Sequence, residues 1–448
     1  MAVELNGLHV FIITSIFILT YVGIIHPKID KTIAAVFGAV VGTICIIKFK
    51  LPDPHNNDHF LTEEGLLHFQ DLQIIGLIFG TLIIVEISQE SGVFHFLSIK
   101  ILKLSKGDPK LLLRYFGALT LFLSALVNNI SAMMIVGTLT IIACERLELD
   151  PKPYIIVELS MTTVGGIATL ISSVPNIIIS QQFGISFGEF LMIGLIWSIV
   201  CMILNFIVFE YIFRNQIQKV TDPEKMKARV DVFDEWSAIK DRKLFNRSII
   251  VLALTIIAFV FSTSLGLSLA VIAIFGGITS VIVSGKKLEE VMAKLDWGLI
   301  AFFLGLFVLI ATLDAVQILD YIAEVLSNIL PNNQILAIFI LLWFVAITSG
   351  IVDNIVVAAA FSPILLRVAL ASPTLSPTLI AWSLIFGANF GGGFTPIGAP
   401  SGVVGIALLY KKTGKKIGWG EFIKTQGLAT LVKLLFTMGY LFILSYFL

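Results

Sequence analysis

Long runs of hydrophobic residues, separated by short polar stretches, dominate the pattern of this chain. Runs such as Leu8–Ile25 and Leu191–Phe213 are long enough to cross a hydrocarbon core of about 30 Å as helices. The pattern predicts five full spans in each half of the chain. In the first half they cover about residues 8–25, 31–48, 72–90, 156–180 and 190–213, and in the second about 248–264, 268–284, 297–313, 379–410 and 424–447.

The composition agrees with a polytopic membrane protein. Hydrophobic residues make up 57% of the chain and charged residues only 13%, with a mean hydropathy of +0.98. A soluble domain carries about 25% charged residues. The 30 basic and 30 acidic residues balance, so nothing indicates a nucleic-acid partner. We expect a lipid bilayer as the surroundings and no cofactor, because the sequence contains no nucleotide-binding loop.

The chain also repeats itself. Residues recur in order at an offset of 225 or 226, which indicates a duplication. The matches are Gly80 with Gly305, Asn128-Asn129 with Asp353-Asn354, Gly166 with Gly392, and Thr169 with Thr395. We therefore predict a first transport repeat over residues 1–213, a linker over 214–247 and a second, inverted repeat over 248–448.

Each half contains one apolar segment of about 36 residues with a polar pair near its middle, Leu111–Arg146 and Ile335–Leu370. Each segment is either two full spans or a re-entrant hairpin whose tip lies within the membrane. The polar tips favour hairpins, because non-helical backbone at membrane depth is tolerated only inside protein or beside water. The predicted fold is all-α and polytopic, with two inverted repeats of five spans, one hairpin and one broken helix each.

The basic residues suggest an orientation. With hairpins, each half crosses the membrane an odd number of times, which requires the second half to be inverted. The linker 214–247 carries nine Lys and Arg residues and is predicted to be cytoplasmic, with both termini outside. The short amphipathic segments Gly92–Ser105 and Tyr321–Leu330 are predicted to lie in the membrane plane beside the hairpins.

A glycine-rich interruption follows each hairpin. Glycine and proline within a span break the helical ladder and free backbone groups, which coordinate ions in transporters. Kinks for close helix packing are the alternative interpretation, but two equivalent interruptions, each following a polar tip, favour a binding site. The candidate residues are Gly166, Thr169, Ser172, Ser173 and Asn176 in the first half, and Gly392, Thr395, Gly398 and Ser401 in the second.

These motifs resemble the ion transporter superfamily, which includes sodium/proton antiporters, arsenite efflux permeases, the melanosomal P-protein and citrate carriers. The stretches that carry the resemblance are SALVNNISAMM, ELSMTTVGGIATLISSVPNIII, VDNIVVAAAFSPIL and FGANFGGGFTPIGAPSGVV. The resemblance implies two inverted repeats, re-entrant hairpins, a central site between hairpin tips and broken helices, and a possible homodimer.

The chain departs from the superfamily patterns at several positions. Antiporters usually carry an acid–amide pair at the first hairpin, where this chain has Asn128-Asn129, and often Gly-Asp where it has Ser172-Ser173. Dicarboxylate carriers have Ser-Asn-Thr at both tips, and neither tip matches. We also expect no Arg or Lys at a tip or break, which argues against citrate.

Asp353 is the acidic residue expected at the centre of the site, with Asn129 and Asn354 as neighbouring amides. A carboxylate there could hold either a proton or a small cation, the simplest chemistry for antiport. A structural role in the hairpin tip is the alternative. Glu158 resembles an acidic position in the family and is a candidate proton relay, with solvation at the membrane surface as the alternative.

The expected function is a secondary active transporter, first a sodium/proton antiporter. The transported ion and protons are then its partners, and no metal is held beyond the transported cation. Proton-coupled export of arsenite or another inorganic solute is the second hypothesis, and citrate transport is less favoured. A channel is third, and an enzyme is disfavoured because no nucleophile–base constellation appears. A bacterial or archaeal plasma membrane is the expected location.

Overall fold

The fold is built from helices packed as one bundle. The computed structural model describes residues 7–26, 28–53, 56–60, 72–217, 223–239 and 241–448. The helices of the first half are α1 (Gly7–Ile25), α2 (Lys31–Phe49), α3 (Leu72–Glu90), α4 (Val93–Leu104), α5 (Pro109–Leu126), α6 (Asn129–Leu147), α7 (Pro151–Gly165), α8 (Val174–Phe183) and α9 (Phe187–Ile212). Between α2 and α3, strands Pro52–Asp53 and Asn56–Phe60 form a small antiparallel pair.

The second half repeats this order. After α10 (Pro223–Asp231) its helices are α11 (Arg242–Val260), α12 (Ser262–Leu265), α13 (Leu269–Ser284), α14 (Leu288–Met292), α15 (Trp297–Ala315), α16 (Ile318–Ile329), α17 (Gln334–Ile351), α18 (Asn354–Ala371), α19 (Pro377–Gly391), α20 (Pro400–Thr413), α21 (Trp419–Phe422) and α22 (Leu428–Leu444). Helices α15 to α18 begin 225 residues after α3 to α6, and α19 and α20 begin 226 residues after α7 and α8. The offset found in the sequence is thus also the offset of the helix boundaries.

Equivalent helices of the two halves run in opposite directions. Glu86 and Glu90 lie in the last turns of α3, and Lys294 lies three residues before the start of α15, the equivalent helix. Lys294 forms ion pairs with both carboxylates. The end of α3 therefore lies beside the start of α15, as inversion of the second half requires.

The two halves interlock through equivalent glycines. Helix α3 packs along α13, and its counterpart α15 packs along α2. An ideal Cβ placed on Gly80 would lie 2.3 Å from the Ala273 carbonyl carbon, and one on Gly305 would lie 2.8 Å from the Val36 nitrogen. Only glycine permits such close contact of helix backbones, so each half provides a groove for a helix of the other.

Each half contains one broken span, α7–α8 in the first half and α19–α20 in the second. Hairpin 1 (α5 and α6) packs beside α7–α8, and hairpin 2 (α17 and α18) packs beside α19–α20. At the base of hairpin 1, the Tyr154 hydroxyl near the start of α7 donates to the Pro109 carbonyl at 3.2 Å. At its tip, the Ser124 hydroxyl donates to the Thr162 carbonyl near the end of α7 at 2.9 Å. Since α8 continues the span beyond this level, the tip lies inside the bundle, as a re-entrant hairpin requires.

The all-α polytopic prediction is confirmed. In the described part of the chain, eleven helices are long and apolar enough to cross a membrane, and Leu269–Ser284 is a shorter apolar helix. Four of the eleven are the hairpin helices α5, α6, α17 and α18. The other seven, together with α13 and the broken pairs α7–α8 and α19–α20, correspond to the ten predicted spans.

The two amphipathic segments and the linker contain helices. The short amphipathic segments predicted beside the hairpins are helices α4 and α16, and the linker contains the short helix α10. Trp236 of the linker packs against Phe96 of α4 with ring centroids 4.8 Å apart, and the Arg242 guanidinium lies 4.5 Å from the Trp236 ring centroid. The described part of the linker is thus attached to α4.

Candidate functional site

The tip of hairpin 1 is bonded to the break between α7 and α8. The Ser124 hydroxyl lies 2.5 Å from Asn129 Oδ1 in addition to its bond to α7. The Thr169 hydroxyl, within the break, donates to the Ala125 carbonyl of the tip at 2.6 Å. Asn128 caps α6 and accepts from the Ser131 N–H at 2.8 Å. The tip and the break therefore form one connected polar unit.

The break itself satisfies the carbonyls that it frees. Asn176 Nδ2 donates to the Gly166 carbonyl at 2.6 Å and to the Thr169 carbonyl at 3.1 Å. The Ser172 hydroxyl lies within hydrogen-bond distance of the same two carbonyls. A transported ion that used these oxygens would have to replace the side-chain donors. Ser173 is the N-cap residue of α8 and makes no side-chain capping bond there.

Side chains from both halves meet beside this break. Asn389 Nδ2 of α19 donates to Asn176 Oδ1 at 2.8 Å, and the hydroxyls of Thr162 and Ser401 are 3.1 Å apart. Asn389 is buried, and its Oδ1 has no hydrogen-bond partner within the described part of the protein. An ideal Cβ on Gly166 would lie 3.1 Å from Asn129 Nδ2 and 3.2 Å from Asn389 Oδ1. Because Gly166 has no side chain, the amide groups of Asn129, Asn176 and Asn389 can all lie close to its backbone.

Hairpin 2 repeats these bonds with equivalent residues. The Ser349 hydroxyl donates to the Ala388 carbonyl at 2.6 Å, and the Thr395 hydroxyl donates to the Gly350 carbonyl at 2.5 Å. Both donors and both acceptors lie 225 or 226 residues after their counterparts in the first half. The contact between hairpin and break is thus the same in both repeats.

The glycines of the second break are equally crowded. An ideal Cβ on Gly392 would lie 3.0 Å from the Gly398 carbonyl oxygen, and one on Gly398 would lie 2.9 Å from the Gly392 oxygen. The two glycines therefore allow the chain to fold back on itself between α19 and α20.

Asp353 differs from its counterpart Asn128. Its Oδ2 accepts from the Lys31 ammonium at 3.0 Å, and its Oδ1 accepts from the Ile355 N–H at 2.9 Å. The side chains of Asp353 and Lys31 are 20% and 35% exposed, respectively, whereas Asn354 is buried. The ammonium also lies 5.4 Å from the Phe302 ring centroid.

The expectation that no Lys or Arg lies at a tip or break is therefore wrong. Lys31 is the first residue of α2, at the end of a predicted span rather than within a hairpin. The tip of hairpin 2 nevertheless reaches it. The hydrogen bonds of Asp353 lead to Lys31 and to its own helix end rather than to Asn129.

Glu158 is buried inside the bundle at 1% exposure. The Thr140 hydroxyl of α6 donates to its Oε1, while Oε2 has no partner in the described ranges. The alternative of solvation at the membrane surface is therefore wrong. Glu158 faces hairpin 1, and its role as a proton relay remains a prediction.

Three central residues were missed from the sequence. Thr162 and Asn389 lie three and two residues before the glycine runs of the two breaks, and Lys433 is the one basic residue within α22. A polar side chain before a break, and an ionisable one within an apolar span, are the signals that could have identified them. Among the described residues, no group of three or more His, Cys, Asp or Glu side chains could hold a metal ion.

A cavity of about 620 Å³ lies at the base of hairpin 2. Arg367 and Asp314, which form an ion pair, are among its lining residues, together with Gln181 of α8 and Phe307 of α15. The cavity separates the base of the hairpin from α3, α8 and α15.

The model of the citrate transporter family matches residues 21–387 of this chain. The chain belongs to the citrate transporter family. A 46 kDa membrane protein of Mycobacterium leprae is 29% identical over 420 residues, which cover 93% of this chain and 94% of that protein. An uncharacterized transporter of Mycobacterium tuberculosis is 28% identical, over 97% of this chain and 98% of that protein. Relatives are named as transporters, in agreement with the expected class.

More distant similarity extends to an animal protein and to a solved structure. The P protein of Mus musculus is 25% identical over 94% of this chain, which spans 59% of that longer protein. The crystal structure of the Alcanivorax borkumensis YdaH transporter aligns with a TM-score of 0.65, 12% identity and 98% coverage of both chains. That structure, described as having an unusual topology, shares the fold with this member of the citrate transporter family.

Proposed function

We propose that this protein is a secondary transporter that exchanges a small cation, first sodium, for protons, with Asp353 as the carrier. The observation that supports this proposal is the Asp353–Lys31 ion pair at the tip of hairpin 2. It places a carboxylate on an element that inverted-repeat transporters use for substrate binding, with an ammonium as its resident partner.

The ion pair suggests how exchange is enforced. Both carboxylate oxygens are engaged, one by Lys31 and one by the Ile355 N–H. A cation or a proton that bound Oδ2 in place of the ammonium would again leave Asp353 with a single positive partner. Proton and cation would therefore compete for the same oxygen. Since Lys31 lies at the start of α2, displacement would also break this contact between hairpin 2 and the first repeat.

A second candidate is proton-coupled export of a neutral inorganic acid such as arsenite. It is favoured by the central cluster of Asn129, Asn176, Asn389, Thr162 and Ser401, whose side chains are all uncharged. Asn389 Oδ1, which has no partner among the residues that the structure describes, could accept from a hydroxyl of such a solute. Citrate, after which the family is named, is kept as a test substrate because Lys31 at a tip weakens the argument against an anion.

Reconstitution into liposomes tests these proposals. Proton movement would be followed by an entrapped pH dye after addition of Na⁺, Li⁺, arsenite or citrate, with Asp353→Asn alongside the unchanged protein. Sodium-dependent proton release that is lost in the variant is the expected result. A response to arsenite or citrate and none to cations would contradict the antiport proposal and assign the central cluster to that solute.

We further propose a bacterial or archaeal plasma membrane as the location, with the linker in the cytoplasm and both termini outside. The basic loops that support this orientation include Lys286 and Lys294, which pair with the end of α3. The first six residues lie outside the described ranges. A homodimer remains a proposal from family resemblance, and cross-linking in native membranes would test it.

A further inference from the structure

Lys433 lies in the middle of the last span, 14 residues after Trp419 and 11 before Leu444. Its side chain is completely buried. An ionisable group at this depth is costly and is normally paired or functional. Within the described part of the chain, no carboxylate lies within salt-bridge distance of Lys433. The exchange site proposed at Asp353 does not involve Lys433 either.

Neutral oxygens and an aromatic ring surround the ammonium. It donates to Ser160 Oγ at 3.0 Å and to Thr163 Oγ1 at 3.2 Å, and lies 5.2 Å from the Phe390 ring centroid. Both hydroxyl hydrogens are used elsewhere, by Asn205 Oδ1 and by the Ser160 carbonyl respectively. The two hydroxyls therefore offer only lone pairs to Lys433, and the ring face also favours a cation.

The position relative to the breaks explains why a positive charge is tolerated there. Thr163 lies two residues before the end of α7, and Phe390 lies one residue before the end of α19. The C-terminal end of a helix carries a partial negative charge of its unpaired carbonyls. In broken-helix transporters such ends, with freed carbonyl oxygens, coordinate the coupling cations.

We propose that the Lys433 ammonium is a tethered cation that holds the place of a coupling ion behind the two broken helices. Removal of the side chain would leave a buried site for a free alkali cation, lined by the hydroxyl oxygens of Ser160 and Thr163. This inference rests on the proposed function in one respect, that the broken helices form the transport site. It adds a second cation position, which the Lys433 ammonium occupies permanently.

Thermal unfolding of the purified protein tests this inference without a transport assay. Asp353→Asn is used as the background, so that a cation at hairpin 2 does not contribute. Lys433→Ala and Lys433→Arg are compared in choline chloride and in NaCl, LiCl or KCl at constant ionic strength. We expect a saturable upward shift of the unfolding temperature of Lys433→Ala with Na⁺ or Li⁺, and none for Lys433→Arg, which keeps the charge.

A buried control separates cation binding from general rescue by salt. Thr437→Val removes the bond that Thr437 receives from Trp197, one turn further along the same helix, and should show no preference among the salts. An equal response of Lys433→Ala and Thr437→Val, or a Lys433→Ala protein that is unfolded in every salt, would overturn the inference. Failure of sodium/proton exchange in liposomes would contradict the proposed function and leave this result unaffected.

Discussion

The tips of the two hairpins share a backbone and differ in charge. Ser124 and Ser349 make the same bond to a broken helix, and Thr169 and Thr395 make the same bond back to the tip. The repeats differ at the first residue of the polar pair. Asn128 caps its own helix, whereas its counterpart Asp353 caps its helix and also binds Lys31 of the other repeat.

The two halves therefore share the arrangement of their helices and differ in the charge of the side chains at their hairpin tips. The tip of hairpin 1 is held by neutral hydrogen bonds within its own repeat. Hairpin 2 adds an ion pair across the repeats, and an ion pair responds to protons and cations in a way that a neutral bond does not. We therefore expect substitutions of the shared contacts to act alike in both halves and substitutions of the charged groups to act in one.

The largest effect is expected from moving the charge between the tips. Asp353→Asn should reduce exchange to background, because no carboxylate remains at either tip. Adding Asn128→Asp should not restore it, because a carboxylate at position 128 would lie on hairpin 1, away from the exchange site proposed at the tip of hairpin 2. Proton movement in liposomes measures both variants, with Asn128→Asp alone as the control. Recovery in the double variant would show that the position of the carboxylate is unimportant.

A large effect on stability is expected at equivalent glycines of the breaks. An ideal Cβ on Gly165 would lie 2.5 Å from the Leu121 carbonyl oxygen, and one on Gly391 would lie 2.2 Å from the Ala346 oxygen. Gly165→Ala and Gly391→Ala should each destabilise the protein by about 1–3 kcal/mol, because backbone atoms cannot move aside easily. Thermal unfolding measures the loss.

Gly420→Ala is a matched control, since an added Cβ there meets no atom within 4 Å. A loss of stability at only one of the two break glycines would contradict the equivalence of the two hairpin contacts.

A smaller effect is expected from the ammonium partner. Lys31→Gln removes the competitor for Asp353, so the apparent affinity for the transported cation should rise by about fivefold, equivalent to about 1 kcal/mol for a partly exposed pair. Concentration dependence of the cation-induced proton signal measures the change. Lys28→Gln, which removes a nearby basic residue, is the control. An unchanged or weaker affinity for Lys31→Gln would show that the pair does not compete with the cation.

The smallest effect is expected from the shared serines. Ser124→Ala and Ser349→Ala each remove the buried hydrogen bond from the hairpin tip to the broken helix, and Ser124→Ala also removes the contact with Asn129. Each should cost about 1 kcal/mol. Unfolding temperatures of the two variants should fall by similar amounts. Ser15→Ala removes a hydroxyl that donates to the Phe11 carbonyl one turn earlier in its own helix, and should change little. A clearly larger loss for one of the two tip serines would break the symmetry seen in the structure.

The sequence was sufficient for the architecture because long apolar runs and repeated glycines are local signals. The spans, hairpins and breaks follow from them, and Asn129, Thr169, Ser172, Asn176 and Ser401 do lie close together. Lys31 at hairpin 2 could not be foreseen, because its contact with Asp353 joins residues 322 positions apart. The pairing of Asn389 with Asn176 depends in the same way on how the halves are assembled.

The interlocked grooves at Gly80 and Gly305 have a consequence for biosynthesis. Helix α3 receives its partner α13 only after about 190 further residues have been translated, which takes about 10–40 s at typical rates. During that interval the glycine groove of α3 is open to lipid or to membrane chaperones. Completion of the fold must therefore await insertion of the second half, and two halves expressed as separate chains should find each other through these same grooves.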